Sequence, residues 1–356
     1  MMSKRHEKLR HILRQCGLDA VLLVHPPNIR YLCGFSGTEG VLIISAEKDA
    51  WLLVDSRYTL QAQEETQNVV VEECRGAEES ATHLLKREGM HRVGFEAEYM
   101  VVSRLAKLET GDVEWVALKK ELRALRGIKT PAEIECIRKA ARINAGAFAE
   151  IESLIHAGLS ERRLAIELEF AIKRLGGEEK AFDFIVASGN RGAMPHGVAS
   201  DKFIASGEFV TIDFGGRLHG YYCDETLTLG LGEPSGELLK VYDIVREAHD
   251  RARKGVCPGR PLKEVDAIAR DFIREKGYGE FFGHGLGHGV GLEIHEYPLV
   301  SPRSEDIAEE GMVFTIEPGI YLPDIGGVRI EDTVAVTADG CEELTVISKQ
   351  LRILGR

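Results

Sequence analysis

The sequence predicts an α/β (α+β) protein of two domains: a smaller N-terminal α/β domain with a mixed sheet, and a C-terminal domain made of two repeated halves. Three observations support this fold class. Helix and strand patterns alternate through the first third of the 356-residue chain, a helix-start signal follows at Thr130, and three segments recur in order at spacings of 102 to 107 residues. A chain of this length suits two domains of roughly 100–200 residues each.

The N-terminal third alternates between the two periodicities. A helical face comes first, with apolar residues at i, i+3, i+4 and i+7: Leu9, Ile12, Leu13 and Cys16. Short apolar runs at 20–24, 41–44 and 51–54 follow, and Pro26, Pro27 and Asn28 break the first from the second. Helical periodicity returns at 78–86 and 102–108, with a strand pattern at 93–95. This alternation predicts an α/β domain with a mixed sheet.

A new helix is expected just after residue 128. Thr130 is a suitable N-cap, Pro131 suits the first turn, and Glu133 completes the pattern of a capping box. We therefore expect the domain boundary at about residue 125, with an N-terminal domain of residues 1–125 and a C-terminal domain of residues 126–356.

The C-terminal part contains an internal repeat. Residues 207–215 align with 311–319 at an offset of 104, residues 224–226 with 331–333 at 107, and residues 165–170 with 267–272 at 102. Each half thus consists of helices followed by a β-hairpin that carries two carboxylates. A duplicated unit of this kind folds as two halves about a pseudo-twofold axis, so a site is expected where the halves meet.

The four hairpin carboxylates are candidates for metal binding. Asp213 and Glu317 end apolar strands, and Asp224 and Glu331 lie on the strands that follow. Four carboxylates that converge on one core repel each other and are costly to desolvate unless cations neutralise them. The alternative is that they are solvated turn acids, as most acidic residues are. Their position within apolar strands and their occurrence as symmetric pairs favour the metal site.

Between the hairpins, residues 283–296 contain three histidines and five glycines, a composition that excludes a helix. Each glycine costs roughly 1 kcal/mol in a helix interior, so His284 and His288 are not a helical zinc motif despite their i, i+4 spacing. We expect a glycine-rich strand that approaches a ligand closely, with at least one histidine for metal binding or proton transfer. His196 echoes the surroundings of His288, and alone it is equally consistent with a core or a catalytic role.

Composition excludes several classes of protein. The content of 44% hydrophobic and 29% charged residues is that of a folded, soluble chain, and no apolar run approaches the ~20 residues that span a membrane. The net charge of −12 disfavours nucleic acid or an anionic membrane as a partner and leaves room for a cation site. The seven cysteines are scattered and never in Cys-x-x-Cys spacing, which predicts free thiols in a reducing cytoplasm.

The segment 284–296, with the ordered set of four carboxylates and His288, resembles the Xaa-Pro peptidases, prolidase and aminopeptidase P, of the pita-bread metallopeptidase superfamily. Residues 26–32 and 55–58 resemble the creatinase-type N-terminal domain of the same enzymes. The resemblance covers essentially the whole chain. It implies a creatinase-type N-terminal domain followed by a pseudo-twofold, duplicated pita-bread catalytic domain.

The resemblance also implies two divalent metal ions per chain. Asp213 would bind one ion, His288 and Glu317 the other, and Asp224 and Glu331 both. Four carboxylates and one histidine form an oxygen-rich set that suits Mn²⁺, with Co²⁺ or Zn²⁺ able to substitute. Two such ions can activate water and polarise a scissile carbonyl.

Further roles follow from the same resemblance. Glu317 would also shuttle a proton, His196 and His295 would position the substrate and stabilise the tetrahedral oxyanion, and His284 would support them with a hydrogen bond. Arg329, two residues before Glu331, should orient that carboxylate or meet a charge of the substrate.

Two threonines are expected to support the metal-binding carboxylates. Thr226 and Thr333 follow two residues after Asp224 and Glu331, and both are candidate hydrogen-bond donors to those carboxylates.

The expected function is a cytoplasmic, homodimeric metallopeptidase that cleaves the imide bond of Xaa-Pro dipeptides. One alternative is an aminopeptidase P, which releases the residue before proline from longer peptides. Another is a non-catalytic interaction protein with the same fold, a class that typically loses ligands, whereas no ligand position is lost here.

A dipeptidase needs a cation for the proline carboxylate. Arg329 is the nearest candidate and Arg57, from a partner subunit, a weaker one, with a structural ion pair or a solvated surface position as the open alternatives.

Overall fold

The computed structural model describes residues 2–47, 49–109 and 113–355. The chain divides into two compact units, Met1–Arg126 and Gly127–Arg356. Along the described residues, no helix is both long enough and apolar enough to cross a bilayer. All seven cysteines are free thiols.

The N-terminal unit is built on one mixed sheet. Its strands are β1 (Ala20–Leu23), β2 (Val41–Ser45), β3 (Ala50–Val54), β4 (Val70–Glu73), β5 (Arg92–Glu96) and β6 (Glu114–Leu118). Its helices are α1 (Met2–Gln15), α2 (Pro26–Cys33), α3 (Thr59–Glu65), α4 (Ala77–Arg87), α5 (Val102–Leu108) and α6 (Lys120–Arg123). The strand order is β4-β3-β2-β1-β5-β6, and β2 alone among these strands runs antiparallel to both neighbours. The predicted mixed sheet is confirmed.

The sequence signals in this unit were strongest for buried elements. The runs predicted at 20–24, 41–44, 51–54 and 93–95 form β1, β2, β3 and β5, which are almost wholly buried. Pro26, Pro27 and Asn28 separate the first two runs as expected, and they do so as the start of α2, which was not predicted; the N–H that a first-turn proline lacks has no partner within a helix. Strands β4 and β6 were not predicted, since both are sheet edges with partly exposed side chains and weak apolar patterns.

The C-terminal unit contains the repeated halves. Its helices are α7 (Pro131–Ile151), α8 (Glu161–Arg174), α9 (Gly236–Gly255) and α10 (Leu262–Glu275). The strands of its first half are β7 (Glu179–Lys180), β8 (Ile185–Ser188), β9 (Phe209–Phe214), β10 (Gly216–Leu218), β11 (Tyr221–Tyr222) and β12 (Glu225–Leu231). The later strands are β13 (Gly287–Gly289), β14 (Glu296–Val300), β15 (Val313–Ile316), β16 (Gly319–Leu322), β17 (Gly326–Arg329), β18 (Asp332–Val336), β19 (Cys341–Glu343) and β20 (Ile353–Leu354).

Each half packs a pair of helices on its own sheet. Helices α7 and α8 bury Phe148 and Leu168 against Phe214 of the sheet β20-β12-β9-β8. Helices α9 and α10 bury Val245 and other side chains against Phe314 of the sheet β14-β13-β15-β18-β19. The apolar area that these faces remove from water is the main favourable contribution to the folding of each half.

The two hairpins of the repeat pair in slightly different registers. Thr226 lies opposite Asp213 in the β9–β12 pair, whereas its repeat equivalent Thr333 lies opposite Thr315 in the β15–β18 pair. Since Asp213 corresponds to Glu317 and Thr211 to Thr315, the registers differ by two residues. An even difference keeps every side chain on the same face of its sheet, so both hairpins can direct carboxylates to one site.

The predicted capping box at the start of α7 is confirmed. The backbone N–H of Glu133 donates to Thr130 Oγ1, and the N–H of Thr130 donates to Glu133 Oε2 at 2.8 Å. We expect Thr130→Ala to lower the free energy of unfolding by about 1 kcal/mol, because the N–H of Glu133 loses its acceptor and the Glu133 carboxylate loses the hydroxyl donor that holds it. Urea denaturation followed by circular dichroism measures the change. Thr130→Ser is the matched control and should retain most of the stability; equal losses in both variants would contradict the capping role.

Candidate active site

Antiparallel pairing brings the first two carboxylates together. Asp213 lies in β9 opposite Thr226 of β12, and Asp224 immediately precedes β12. Asp224 is therefore not part of a strand continuous with Tyr222, since residues 223 and 224 separate β11 from β12. Asp213 is 9% exposed and Asp224 is 4% exposed. This burial excludes solvated turn positions for both acids.

The second half supplies two carboxylates and a histidine. Glu317 follows β15, Glu331 precedes β18, and His288 lies in β13 beside β15. The halves meet at Glu331, whose N–H donates to the carbonyl of Thr226 at 3.2 Å. Thr226 Oγ1 donates to Glu331 Oε2 at 2.5 Å. The two halves of the repeat are thus joined at the site itself.

The predicted ligands converge on one volume. His288 Nε2 lies 3.3 Å from Glu317 Oε1 and 3.6 Å from Asp224 Oδ2. One ligand atom from each of Asp224, His288 and Glu331 lies within 4.8 Å of the other two. Asp213 is close enough to repel the carboxylates of Asp224 and Glu317. These residues meet at the junction of the two halves, where the internal repeat predicted a site.

The charges of this cluster are not balanced by the protein alone. Burial raises the pKa of both Asp224 and Glu331 well above their usual range; repulsion from Asp213 and Glu317 adds to the shift at Asp224, and repulsion from Asp224 adds to it at Glu331. Burial likewise raises the pKa of Glu317 to about 8, although Arg329 opposes the shift. Among the described residues, Asp213 Oδ1 and Asp224 Oδ1 are buried oxygens that accept no hydrogen bond. Buried, unsatisfied oxygens of this kind fit divalent cations as ligands.

The histidine of the cluster is suited to the same task. Burial and the neighbouring His295 lower the pKa of His288 to about 3, so its imidazole is neutral at physiological pH and Nε2 can act as a ligand. The N–H of His288 donates to Thr315 Oγ1 at 3.0 Å, and Thr315 Oγ1 donates to Glu317 Oε1 at 3.1 Å. Thr315 therefore fixes two ligands at once.

Arg329 contacts a different carboxylate from the one expected. Its Nη2 donates to Asp213 Oδ2 at 2.6 Å, not to Glu331 or Asp332, and its Nε donates to Thr226 Oγ1 at 3.2 Å. Its Nη1 donates to the Tyr321 hydroxyl at 3.0 Å and to a backbone carbonyl. Arg329 therefore acts on Glu331 only indirectly, because it contacts Thr226 Oγ1, which in turn donates to Glu331 Oε2. The pairing follows from strand geometry, because β17 runs close beside β9.

The tyrosine that Arg329 contacts was missed from the sequence. The Tyr321 hydroxyl also lies 2.9 Å from His284 Nε2, which links His284 to Arg329 and through it to Asp213. Tyr321 is 9% exposed in β16. Its only sequence signal is its position four residues after Glu317, too weak to single it out. His284 is thus a supporting group, separated from the carboxylates by this tyrosine.

The glycines of segment 283–296 serve strand packing. A Cβ atom on Gly287 would lie 1.9 Å from the Thr315 carbonyl oxygen, and one on Gly289 would lie 2.4 Å from the backbone of Tyr297. The expectation of a strand is confirmed by β13, whose glycines allow the close approach of the neighbouring strands. Side chains at these positions would displace His288 from the carboxylates.

Threonine and arginine contacts complete the support of the cluster. Thr333 Oγ1 was expected to donate to a carboxylate of the cluster. It donates instead to the backbone carbonyl of Asp224 at 2.8 Å. Arg270, paired with Asp266 on α10, donates to the carbonyl of His284 at 2.6 Å. The i, i+4 spacing of Asp266 and Arg270 was the sequence signal that could have revealed this anchor.

The remaining two histidines lie at the open side of the cluster. His196 and His295 are both exposed, and the rings of His288 and His295 are 4.1 Å apart. A buried carboxylate, Glu161, secures the segment that carries His196, since it accepts from the backbone and side chains of Ser188 and Ser200 and pairs with Arg191. The structure therefore places His295 beside the predicted ligand His288, and it places the segment of His196 beside Arg329, whose Nη1 donates to the carbonyl of Pro195.

Two family models match this chain. Metallopeptidase family M24 matches residues 135–338, and the creatinase/prolidase N-terminal domain matches residues 5–128. The Xaa-Pro dipeptidase of Pyrococcus horikoshii is 41% identical over 354 residues, which cover 99% of each chain.

Solved structures share the whole fold. That of the Xaa-Pro dipeptidase from Bacillus anthracis has a TM-score of 0.96 at 42% identity and covers 99% of this chain and 100% of its own. That of the X-Pro aminopeptidase from Thermotoga maritima has a TM-score of 0.89 at 39% identity and covers 97% and 100%. The predicted creatinase-type and pita-bread architecture is confirmed by these matches.

Proposed function

Since the chain belongs to metallopeptidase family M24 and carries a creatinase/prolidase N-terminal domain, we propose that it is a dinuclear metal-dependent hydrolase of Xaa-Pro dipeptides. The observation that carries the proposal is the convergence of Asp224, His288 and Glu331, with Asp213 and Glu317 beside them, at the junction of the two halves. Relatives named Xaa-Pro dipeptidase, 41% identical over nearly the full chain, support the choice of substrate.

The five ligands fit divalent metal ions by charge and by donor chemistry. Asp213 would hold one ion, His288 and Glu317 the other, and Asp224 and Glu331 both. We propose Mn²⁺ as the physiological ion, because four carboxylates and one imidazole form a predominantly oxygen donor set. When bound, the metal pair supplies Lewis-acid polarisation of the scissile carbonyl and activation of water.

Glu317 is the group proposed to move the proton. Its carboxyl is buried at the edge of the ligand cluster, where an oxygen can accept a proton from water and pass it on. Thr315 Oγ1 donates to Glu317 Oε1 and fixes this oxygen. We assign Glu317 the transfer of a proton from attacking water to the nitrogen of the leaving proline.

The exposed histidines are proposed to contact substrate. His196 and His295 lie at the open side of the ligand cluster, where an imidazole N–H can donate to the oxyanion that develops on the scissile carbonyl. Arg329 is assigned to positioning instead. Its Nε, Nη1 and Nη2 already donate to Thr226, Tyr321 and Asp213, so it holds Asp213 rather than the proline carboxylate.

The weaker candidate for the proline carboxylate, Arg57, is also paired. It is exposed in the N-terminal unit and forms ion pairs with Asp55 at 2.6 Å and with Glu39 at 2.7 Å.

We propose a homodimer in the cytoplasm, the setting expected from the family resemblance and consistent with seven free thiols. Sedimentation equilibrium would measure the oligomeric state directly.

Substrate length distinguishes a dipeptidase from the second candidate, an aminopeptidase P. The likeness to the X-Pro aminopeptidase of Thermotoga maritima supports this second candidate. We expect Ala-Pro-amide and Ala-Pro-Ala to have a kcat/KM about 10–150-fold below that of Ala-Pro, because each lacks the free proline carboxylate that a dipeptidase must recognise through a hydrogen bond to a charged group. Proline or peptide release, followed by chromatography, measures all three rates on one preparation. Ala-Ala, which lacks the imide bond, is the control. Equal or faster turnover of the tripeptide would assign the chain to aminopeptidase P and leave the metal site unchanged.

A further inference from the structure

A second pair of buried carboxylates lies directly behind the bridging pair. Glu225 follows Asp224 and Asp332 follows Glu331, and the two are equivalent positions of the repeat, 107 residues apart. Adjacent residues of an extended chain point to opposite faces, so Glu225 and Asp332 face away from the metal ligands. Glu225 is 0% exposed and Asp332 is 3% exposed. The junction of the halves therefore carries a pair of acids on each face.

One lysine pairs with both carboxylates of this rear pair. Lys349 Nζ lies 2.5 Å from Glu225 Oε1 and 3.2 Å from Asp332 Oδ1, and its side chain is 11% exposed. Within the described parts of the chain, no other lysine or arginine forms an ion pair with either carboxylate. The ammonium ion thus bridges the rear acids of the two halves, just as a divalent ion would bridge the front acids.

The rear cluster is a fixed arrangement. Asp332 Oδ1 accepts from Thr345 Oγ1 at 2.5 Å, and His249 Nε2 lies 3.2 Å from Asp332 Oδ2. The Tyr242 hydroxyl donates to the carbonyl of Lys349 at 3.1 Å and holds the C-terminal segment in place. Lys349 therefore approaches the acids from a segment that is tied to α9, outside both hairpins.

We propose that Lys349 is a positioning residue that sets the spacing of the bridging carboxylates Asp224 and Glu331, and so tunes the affinity of the metal site from the opposite face of the sheet. Without this ammonium, Glu225 and Asp332 are two buried negative charges that repel each other across the junction. Each is joined by one peptide bond to a bridging ligand, so their separation displaces both ligands. The inference rests on the two-metal site proposed above.

Titration of Mn²⁺ into metal-stripped protein tests the proposal by calorimetry. We expect Lys349→Met to weaken Mn²⁺ binding about 10–100-fold, the usual effect of removing a group that orients metal ligands. Lys349→Arg keeps the charge and should lose less affinity. Lys263→Met, at an exposed position of α10, is the matched control and should bind as the wild type does. Wild-type affinity and stoichiometry in folded Lys349→Met would overturn the inference.

A double variant keeps the test decisive if Lys349→Met does not fold. Glu225→Gln combined with Lys349→Met removes the lysine together with the carboxylate nearest to it, so the rear repulsion disappears. We expect this protein to fold and to bind Mn²⁺ more tightly than Lys349→Met does. If Lys349→Met does not fold, we expect the double variant to bind Mn²⁺ with an affinity close to that of the wild type. A folded double variant without Mn²⁺ binding would overturn the charge-balance argument. A wild-type protein that binds no Mn²⁺ would instead refute the proposed function, so the two failures are distinguishable.

Discussion

Removal of divalent metal is expected to abolish hydrolysis of Ala-Pro, and Mn²⁺ is expected to restore it. The physical reason is the chemistry of the site: Asp224 and Glu331 are buried carboxyls whose pKa values are raised by burial and by neighbouring carboxylates. Without a cation they can hold protons, and the scissile carbonyl meets no Lewis acid. Dialysis against a chelator, metal analysis, and an assay of proline release measure the effect.

The control for this experiment is protein dialysed without chelator, with circular dichroism to establish that both samples are folded. Add-back of Mn²⁺, Co²⁺ and Zn²⁺ in parallel ranks the ions, and the oxygen-rich ligand set places Mn²⁺ first. Full activity in a sample that metal analysis finds free of metal would refute the two-metal mechanism.

Loss of a bridging carboxylate is expected to remove metal as well as rate. Asp224→Asn and Glu331→Gln each delete a charge that the two proposed ions would share, so we expect fewer than two ions per chain. We expect kcat to fall at least 100-fold, because loss of a group that only orients a ligand already costs up to about 100-fold. In contrast, His196→Ala and His295→Ala should retain two ions and lose about 10²–10³-fold in kcat as donors to the oxyanion.

Metal analysis of the purified variants separates these roles before any assay. The metal-free forms add a second measurement: Asp224→Asn should melt at a higher temperature than metal-free wild type at neutral pH. A buried carboxyl whose pKa is raised costs stability there, whether it stays ionised or takes up a proton, and the neutral amide does not. A His295→Ala protein that holds less metal than Glu331→Gln would reverse the assignment.

The ligand set was accessible from the sequence because two independent patterns pointed to it. The repeat paired Asp213 with Glu317 and Asp224 with Glu331, and the apolar residues around them indicated that these acids would be buried. Similarly, the glycine content around His288 excluded a helix, and the segment forms β13. Local periodicity and composition carry such information because they reflect which face of a strand is buried.

Contacts between distant segments were not accessible in this way. Arg329 was expected beside Glu331, its sequence neighbour, yet its guanidinium donates to Asp213, 116 residues away. Tyr321 and Lys349 gave no pattern at all, because each meets its partners through the packing of one strand or segment against another. Short-range spacing constrains faces and turns, whereas the choice of partner across the sheet depends on tertiary structure.

The register difference between the two hairpins has an evolutionary consequence. Eleven positions separate the two acids of the first hairpin and fourteen separate those of the second, so the connecting segments have diverged in length since duplication. The registers of the two hairpins nevertheless differ by an even number of residues. Thr226 pairs with Asp213, whereas Thr333 pairs with Thr315, which lies two positions before the equivalent of Asp213. A one-residue slip would exchange the front and rear acids, Asp224 with Glu225 or Glu331 with Asp332. The two hairpins of this chain thus differ in length but keep the even pairing that directs all four carboxylates to one face, so an insertion in either loop should preserve that pairing.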